Sequence, residues 1–275
     1  MTSLRNFSYL EGPVAKNTER SILSKTQATF YMIKYYDTDH NFKWKHYEGF
    51  IILLCMRWYC KYALSYRDLE EMMAERGLSV VHTTIYRWVY QYASMFEKKM
   101  RWYQGYRGSS WRVDETYIKV KGKWCYLYRA IDKYGNMIDF MLSRKRDTES
   151  AKRFFRKAIK NSKYYEPYAR INTDQYSAYI KAISDLQDEG VIPRDTEHSQ
   201  IKYLNNIIES DHFRLKKAMK IIHGFKSFAS AARTIKGMEC MLMLKKRQFI
   251  TMKEGILGEV EFVNKLFGIH QVNCA

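Results

Sequence analysis

The sequence predicts an α/β domain with a mixed sheet, preceded by an all-α unit. Three observations support this. Between His46 and Ala93 apolar residues recur at three- and four-residue spacing, the period of a buried helix face. From Trp111 to Leu142 the period changes to two, the signature of half-buried strands. Beyond that, segments of helical period flank one short apolar run, Ala169 to Thr173.

In the helical unit, Phe50, Leu53, Leu54, Arg57, Trp58 and Lys61 fall on one side of a first helix. Ser65-Tyr66-Arg67-Asp68 is a Ser-x-x-acid start signal for a second, which carries Leu69, Met72 and Met73 and stops near Gly77. A third helix runs from His82 to about Tyr92, with Ile85, Trp88, Val89 and Tyr92 as its buried side. Three helices with a glycine turn before the last suggest a helix-turn-helix over residues 43–94. His82, Thr83, Thr84 and Arg87 then front the third helix, with side chains suited to base edges and phosphates. An ordinary three-helix packing unit is the alternative this pattern leaves open. Residues 1–42 are polar and irregular, and no role is assigned to them. Residues 95–110, ending in Gly108-Ser109-Ser110, read as a connection.

The second unit opens with strands at Trp111–Val120, Trp124–Asp132 and Met137–Leu142, joined by turns at Lys121-Gly122-Lys123 and Lys133-Tyr134-Gly135-Asn136. A helix over Thr148–Lys160 follows. The short strand ending at Asp174 comes next, then a helix over about Ser177–Leu186, then a last helix from near Leu204 past Lys216. Three strands, helix, strand, helix and an acid-bearing helix is the element order of an RNase H-like fold with a mixed five-stranded sheet, expected over 111–220. Residues 221–275 are expected to form a basic helical region for DNA contact or dimerisation. Neither a G-x-G-x-x-G turn nor a Walker A loop is present.

Composition narrows the function. The 275 residues are 46% hydrophobic, which excludes wholesale disorder. The longest apolar run, Phe50 to Met56, is too short to span a bilayer, and no secretory signal is expected. Five cysteines never approach CxxC spacing, so a cysteine-built zinc ribbon is not expected and a reducing cytoplasm fits. Lys and Arg number 47 against 29 Asp and Glu, a net charge of +18 that favours a polyanionic partner. The excess is uneven: 16 basic and 10 acidic residues lie in 1–110, but 31 and 19 in 111–275. Phe213 to Lys253 alone holds 11 basic residues and one acid, Glu239, which points to phosphate contact rather than only a solvated face.

Three acids are candidates for chemistry. Asp114 interrupts a strand, Trp-Arg-Val-Asp-Glu-Thr-Tyr, where a short charged side chain fits badly. It needs a partner, either a metal ion, solvent or Arg112. Glu115 points to the other face by alternation. Asp174 ends its strand, where an acid equally serves as a helix cap. Glu209 stands beside the apolar stripe of Leu204, Ile208, Leu215 and Met219. Lys216, two turns on, shares its face, whereas Asp211 points about 160° away. Oxygen ligands without a Cys/His set imply Mg²⁺ or Mn²⁺ rather than zinc. His212, three residues after Glu209, is read as structural or DNA-facing; His198 and His223 lack ligand spacing.

These residues also carry a family resemblance. Leu64-Ser65-Tyr66-Arg67-Asp68, Thr84-Ile85-Tyr86-Arg87-Trp88, Asp114-Glu115-Thr116-Tyr117-Ile118-Lys119-Val120, Tyr126-Leu127-Tyr128-Arg129-Ala130, Ile171-Asn172-Thr173-Asp174 and Tyr203 to His212 closely resemble bacterial insertion-sequence transposases of the IS-six family, as do Gly224-Phe225-Lys226-Ser227 and Thr234 to Glu239. The resemblance spans about Phe42 to Phe267 in order. It implies a DDE transposase whose helix-turn-helix binds terminal inverted repeats. Asp114, Asp174 and Glu209 would be the catalytic triad holding two Mg²⁺ ions (Mn²⁺ substituting), with Asp114 bridging both. Lys216 and Lys217 would contact DNA. It further implies joining of the 3′-OH to target DNA, replicative transposition through cointegrates, a homodimer or higher oligomer, and a bacterial cytoplasmic, nucleoid-associated protein without a membrane partner. The extension over 1–42 and Leu204, where some relatives carry Arg, depart from the pattern. From the residues alone, a non-catalytic helix-turn-helix regulator and an RNase H-like nuclease or integrase remain the alternatives.

Overall fold

The structure, a computed structural model, describes residues 35–37, 40–105, 107–162 and 169–271. Most of the extension expected at 1–42 lies outside the described residues. Its described part includes β1 (Tyr35–Asp37), which pairs antiparallel with Ile269–Gln271. Among the described residues no helix is long and apolar enough to cross a membrane.

Three helices follow: α1 (Gly49–Lys61), α2 (Tyr66–Ala74) and α3 (His82–Met100). Both halves of a capping box start α2: Asp68 N–H donates to Ser65 Oγ at 3.1 Å and Ser65 N–H to Asp68 Oδ2 at 2.7 Å. Ile85, Trp88, Val89 and Tyr92 are the buried side of α3. The helix runs six residues into the stretch read as a connection, because Ala93, Phe96 and Met100 continue the buried face. Helix α1 differs from its expected stripe. Ile51, Ile52, Leu53, Cys55, Met56, Tyr59 and Cys60 are all buried, while Phe50, Leu54, Trp58 and Lys61 are only half-buried. Tertiary packing on several sides, not one apolar stripe, holds this helix.

The sheet is built from β2 (Ser110–Val120), β3 (Lys123–Asp132), β4 (Met137–Ser143), β5 (Arg170–Asn172) and β6 (Glu197–Ser199). Helix α4 (Thr148–Asn161) precedes β5, and α5 (Ser177–Asp188) separates β5 from β6. The strand order is β4-β3-β2-β5-β6, with β2 to β4 an antiparallel meander and β5 and β6 parallel to β2. This is the mixed five-stranded sheet of an RNase H-like fold. Glu-His-Ser carries no apolar alternation, so periodicity does not predict the position of β6. Three further helices close the structure: α6 (Asn206–Ala218), α7 (Phe228–Lys245) and α8 (Gly255–Leu266), followed by β7 (Ile269–Gln271).

Each sheet face has its own core. Trp111, Val113, Tyr128, Ala130 and Ile138 pack against Phe154, Phe155 and Ala158 of α4 and Tyr179, Ala182 and Ile183 of α5. On the other face Ile118, Val120, Leu127 and Ile131 join one continuous core with α1, α3, α6, α7 and α8. Helix α7 is its axle. A Cβ on Gly237 would stand 2.6 Å from Cys60 Sγ and 2.8 Å from Ala93 Cβ, so only glycine lets α7 approach α1 and α3 this closely. Several basic residues of the 213–253 run are therefore engaged internally. Lys236 pairs with Glu97 at 3.3 Å, the Arg233 guanidinium lies 4.1 Å from the centre of the Tyr90 ring, and Lys246 binds Asp211. The region at 221–275 is a packing element as well as a basic one.

The deepest polar contact joins sheet to helices. Arg129 of β3 and Glu239 of α7 are both 0% exposed and pair bidentately, Nε to Oε1 at 2.8 Å and Nη2 to Oε2 at 2.9 Å. Removing one partner of such a pair strands a buried charge and costs about 3–5 kcal/mol, whereas replacing both by apolar groups is often near neutral. Arg129→Met is expected to lose stability of that order in denaturant unfolding. Arg129→Met combined with Glu239→Leu should recover most of it.

Candidate active site

The site forms where two parallel strands separate. Strands β2 and β5 pair only as far as Arg112↔Asn172. Asp114 and Asp174 each lie two residues beyond that pair, Asp114 within β2, which runs on to Val120 beside β3, and Asp174 just past the end of β5, so the register brings them level where β2 and β5 part. Asn172, fully buried, is the last residue of β5 paired with β2 and ties that strand end to β6 and the approach to α6. Its amide Nδ2 donates to the Ile201 carbonyl at 3.1 Å and to Asn205 Oδ1 at 2.8 Å, and its Oδ1 accepts from Ser199 Oγ and Ile201 N–H. These bonds pin the short turn Lys202–Asn205 that leads into α6, the helix carrying Glu209.

Asp114 sits on the sheet face covered by α6, directly opposite Arg129 across β2 and β3. Its Oδ2 lies 3.2 Å from His212 Nε2. It does not pair with Arg112, which donates to Ser110 Oγ and the Trp111 carbonyl. Asp174 does not cap α5. Its Oδ1 accepts from Tyr176 N–H at 3.1 Å in a local turn, and its Oδ2 lies 3.5 Å from Arg146 Nη2. The Arg146 guanidinium lies 3.8 Å from the centre of the Tyr176 ring and also binds Glu115.

Glu115 points to the α4/α5 face, as alternation requires, where Tyr179 Oη donates to it. Even so, an oxygen of Glu115 lies with one each from Asp114 and Asp174 in a group whose members are all within 4.8 Å of one another. The open strand edge allows this reach around. Burial, and then the neighbouring Asp114, push the Asp174 carboxyl above the usual range. Burial pushes Glu115 up as well, with both aspartates adding to it and Tyr179 and Arg146 opposing. A hard, oxygen-only donor set with mutually repelling carboxylates fits a divalent cation of the Mg²⁺ or Mn²⁺ type.

Glu209 stands outside that group. It is exposed in the first turn of α6, one turn before His212. Asp211, its rival, is buried and bound by Lys246, with Arg129 Nη2 at 3.7 Å. Lys216 and Lys217 are exposed in the last turn of the same helix. On α3, Thr83 and Arg87 are exposed and Thr84 half-buried, while His82 Nδ1 is 2.8 Å from Glu70 Oε2. Glu115 and Arg146 are site residues that the sequence does not single out. Only the adjacency of Glu115 to Asp114 hinted at the first, and nothing in the sequence hinted at the second.

A mixed sheet in this strand order, with one acid on its central strand and a second just past the end of the neighbouring parallel strand, defines an RNase H-like catalytic domain. Residues 108–248 match the family model for a DDE domain of IS240-type transposases. The chain is 38% identical over 206 residues to the transposase for insertion sequence-like element IS431mec of Staphylococcus aureus strain Mu50, covering 75% of this chain and 89% of that protein. The transposase for insertion sequence element IS257 in transposon Tn4003 of Staphylococcus aureus is similar to the same extent, 38% over 206 residues, 75% of this chain and 89% of that protein. Among solved structures, the HTLV-2 integrase catalytic core domain in complex with magnesium is 18% identical with a TM-score of 0.33, covering 49% of this chain and 86% of that one, too distant to bear on function. The chain belongs to the IS-six family of insertion-sequence DDE transposases, and is a metal-dependent enzyme of DNA cleavage and strand transfer.

The raised carboxyl of Asp174 has a consequence for stability. An acid whose folded pKa lies above its unfolded value costs stability once ionised, and the cost grows as pH rises from the unfolded to the folded value. Asp174→Asn keeps an acceptor for Tyr176 N–H and removes the charge. Its thermal midpoint should exceed that of the parent at about pH 7 without divalent metal, and the gap should close below the carboxylate range.

Proposed function

We propose that this transposase binds the terminal inverted repeats of its element, cleaves the DNA at the element ends to expose a 3′-OH, and joins that hydroxyl to target DNA by a replicative, cointegrate-forming route. The observation that carries this reading is the convergence of Asp114 and Asp174, with oxygens within 4.8 Å, where the parallel strands β2 and β5 part. Glu209 completes the set of metal-binding acids. In its favour are its place on α6, whose next turn contacts Asp114 through His212, and the engagement of Asp211 elsewhere. Glu115 is held by Arg146 and Tyr179 and serves to seat Arg146 beside Asp174.

Asp114, Asp174 and Glu209 would hold two Mg²⁺ ions, with Mn²⁺ able to substitute. Bound there, such ions lower the pKa of water and stabilise charge on a departing phosphodiester oxygen. The chain's own residues bind and orient. Lys216 and Lys217 on α6 contact the phosphate backbone beside the acids. Thr83, Thr84 and Arg87 on α3 face the inverted repeat, and His82 acts there with its Glu70 partner. Strand transfer by a DNA 3′-OH needs no covalent protein–DNA intermediate, so none of the 23 tyrosines is assigned as a nucleophile. Bringing two ends together requires at least a homodimer. The partner throughout is double-stranded DNA.

The first test is whether the purified protein joins a pre-cleaved end carrying a 3′-OH to plasmid DNA in Mg²⁺. Cutting without joining would favour a nuclease, and binding without either would favour a regulator. Asp114→Asn, Asp174→Asn and Glu209→Gln are each expected to lower end cleavage more than about 100-fold, beyond the 10–100-fold typical of outer-shell partners, while end binding measured by gel shift stays largely intact. Full cleavage by any one variant removes that residue from the site. Lys216→Ala should reduce the slope of log affinity against log salt by about one unit, and an unchanged slope would remove the contact.

A further inference from the structure

His212 lies between two groups of opposite character. Its Nδ1 is 3.2 Å from Arg129 Nη1, and its Nε2 is 3.2 Å from Asp114 Oδ2. A guanidinium has only donors, so His212 Nδ1 must accept. The ring proton is thereby assigned to Nε2, which donates to the Asp114 carboxylate. Arg129 cannot rotate out of this role, because Glu239 grips it through two hydrogen bonds at 2.8 and 2.9 Å and both residues are 0% exposed. Each link in the row from Glu239 to Arg129 to His212 to Asp114 has one possible direction of donation. Four elements contribute one residue each: α7, β3, α6 and β2. Among the described residues, Asp114 Oδ2 receives this bond and Oδ1 receives none.

We propose that His212 is a positioning residue: held as its Nε2–H tautomer by Arg129 and Glu239, it fixes the Asp114 carboxylate with one oxygen occupied and the other presented to a divalent cation. This rests on the reading above that Asp114 is a metal ligand. Carboxylate ligands oriented by such hydrogen bonds bind metal better because less freedom is lost on binding, and losing the orienting partner typically costs 10–100-fold in metal affinity.

The test is Mn²⁺ titration by calorimetry on the full chain, with metal-free thermal unfolding of each variant in parallel. His212→Leu removes the donor and is expected to weaken Mn²⁺ binding about 10–100-fold. His212→Gln can accept from Arg129 with its amide oxygen and donate to Asp114 with its amide nitrogen, and should bind within a few-fold of the parent. His212→Asn is too short to span both partners and should behave like His212→Leu. Where the leucine variant does not fold, the glutamine and asparagine pair decides. Parent-like affinity in His212→Leu or His212→Asn, or equal weakening in His212→Gln, overturns the positioning role. Asp114→Asn is the arm that separates the two claims. If Mn²⁺ binding is unchanged in Asp114→Asn, the metal-ligand reading fails and the inference with it. If binding depends on Asp114 but not on His212, only the inference fails.

Discussion

The buried ion pair of Arg129 and Glu239 is the constraint on which the molecule turns. It is the point where the sheet of the catalytic domain and the helices of the amino- and carboxyl-terminal regions become one body. Two fully buried charges are costly, and the cost is met only by strict geometry: two parallel hydrogen bonds, with His212 taking a further guanidinium donor. That geometry requires α7 to lie close against α1 and α3, which Gly237 permits by having no side chain. One arginine on a sheet strand thus sets the depth at which α7 and α6 dock, and so where α6 presents its acid and its lysines.

A second constraint is the early end of the pairing between β2 and β5. There the Asn172 amide ties the end of β5 to Ser199 of β6 and to Ile201 and Asn205 before α6. The crevice that results is lined by Asp114, Asp174 and the outer reach of Glu115. Arg146, seated on the Tyr176 ring, supplies the only positive charge placed directly against Asp174 among the described contacts. Helical packing on one face and a strand edge on the other therefore converge on the same few ångströms.

The helical regions and the catalytic sheet are less separable than a linear domain list implies. Helix α3 runs unbroken from its exposed front, Thr83 and Arg87, to Met100, and shares one core with α7 and with Ile118 and Val120 of β2. The basic run near the carboxyl terminus divides in the same way. Lys236, Lys246 and Arg233 turn inward to Glu97, Asp211 and Tyr90, while Lys216 and Lys217 remain exposed.

Local chemistry was legible in the chain itself. The capping box at Ser65 and Asp68, the buried side of α3, the meander after Trp111 and the placing of Asp114 on a strand follow from period and short-range hydrogen bonding, whereas Asp174 falls two residues past the strand it is expected to end. Such signals reside in neighbouring residues and survive without knowledge of the rest. Other features depended on partners far away in sequence. The all-round burial of α1, the strand at Glu197–Ser199, the reach of Glu115 into the acid group and the hold of Arg129 on His212 arise from elements far apart in sequence, 83 residues for Arg129 and His212 and 198 for Lys61 of α1 and Glu259 of α8. No periodicity records such contacts, because only packing decides which side chains meet and which charges must be paired.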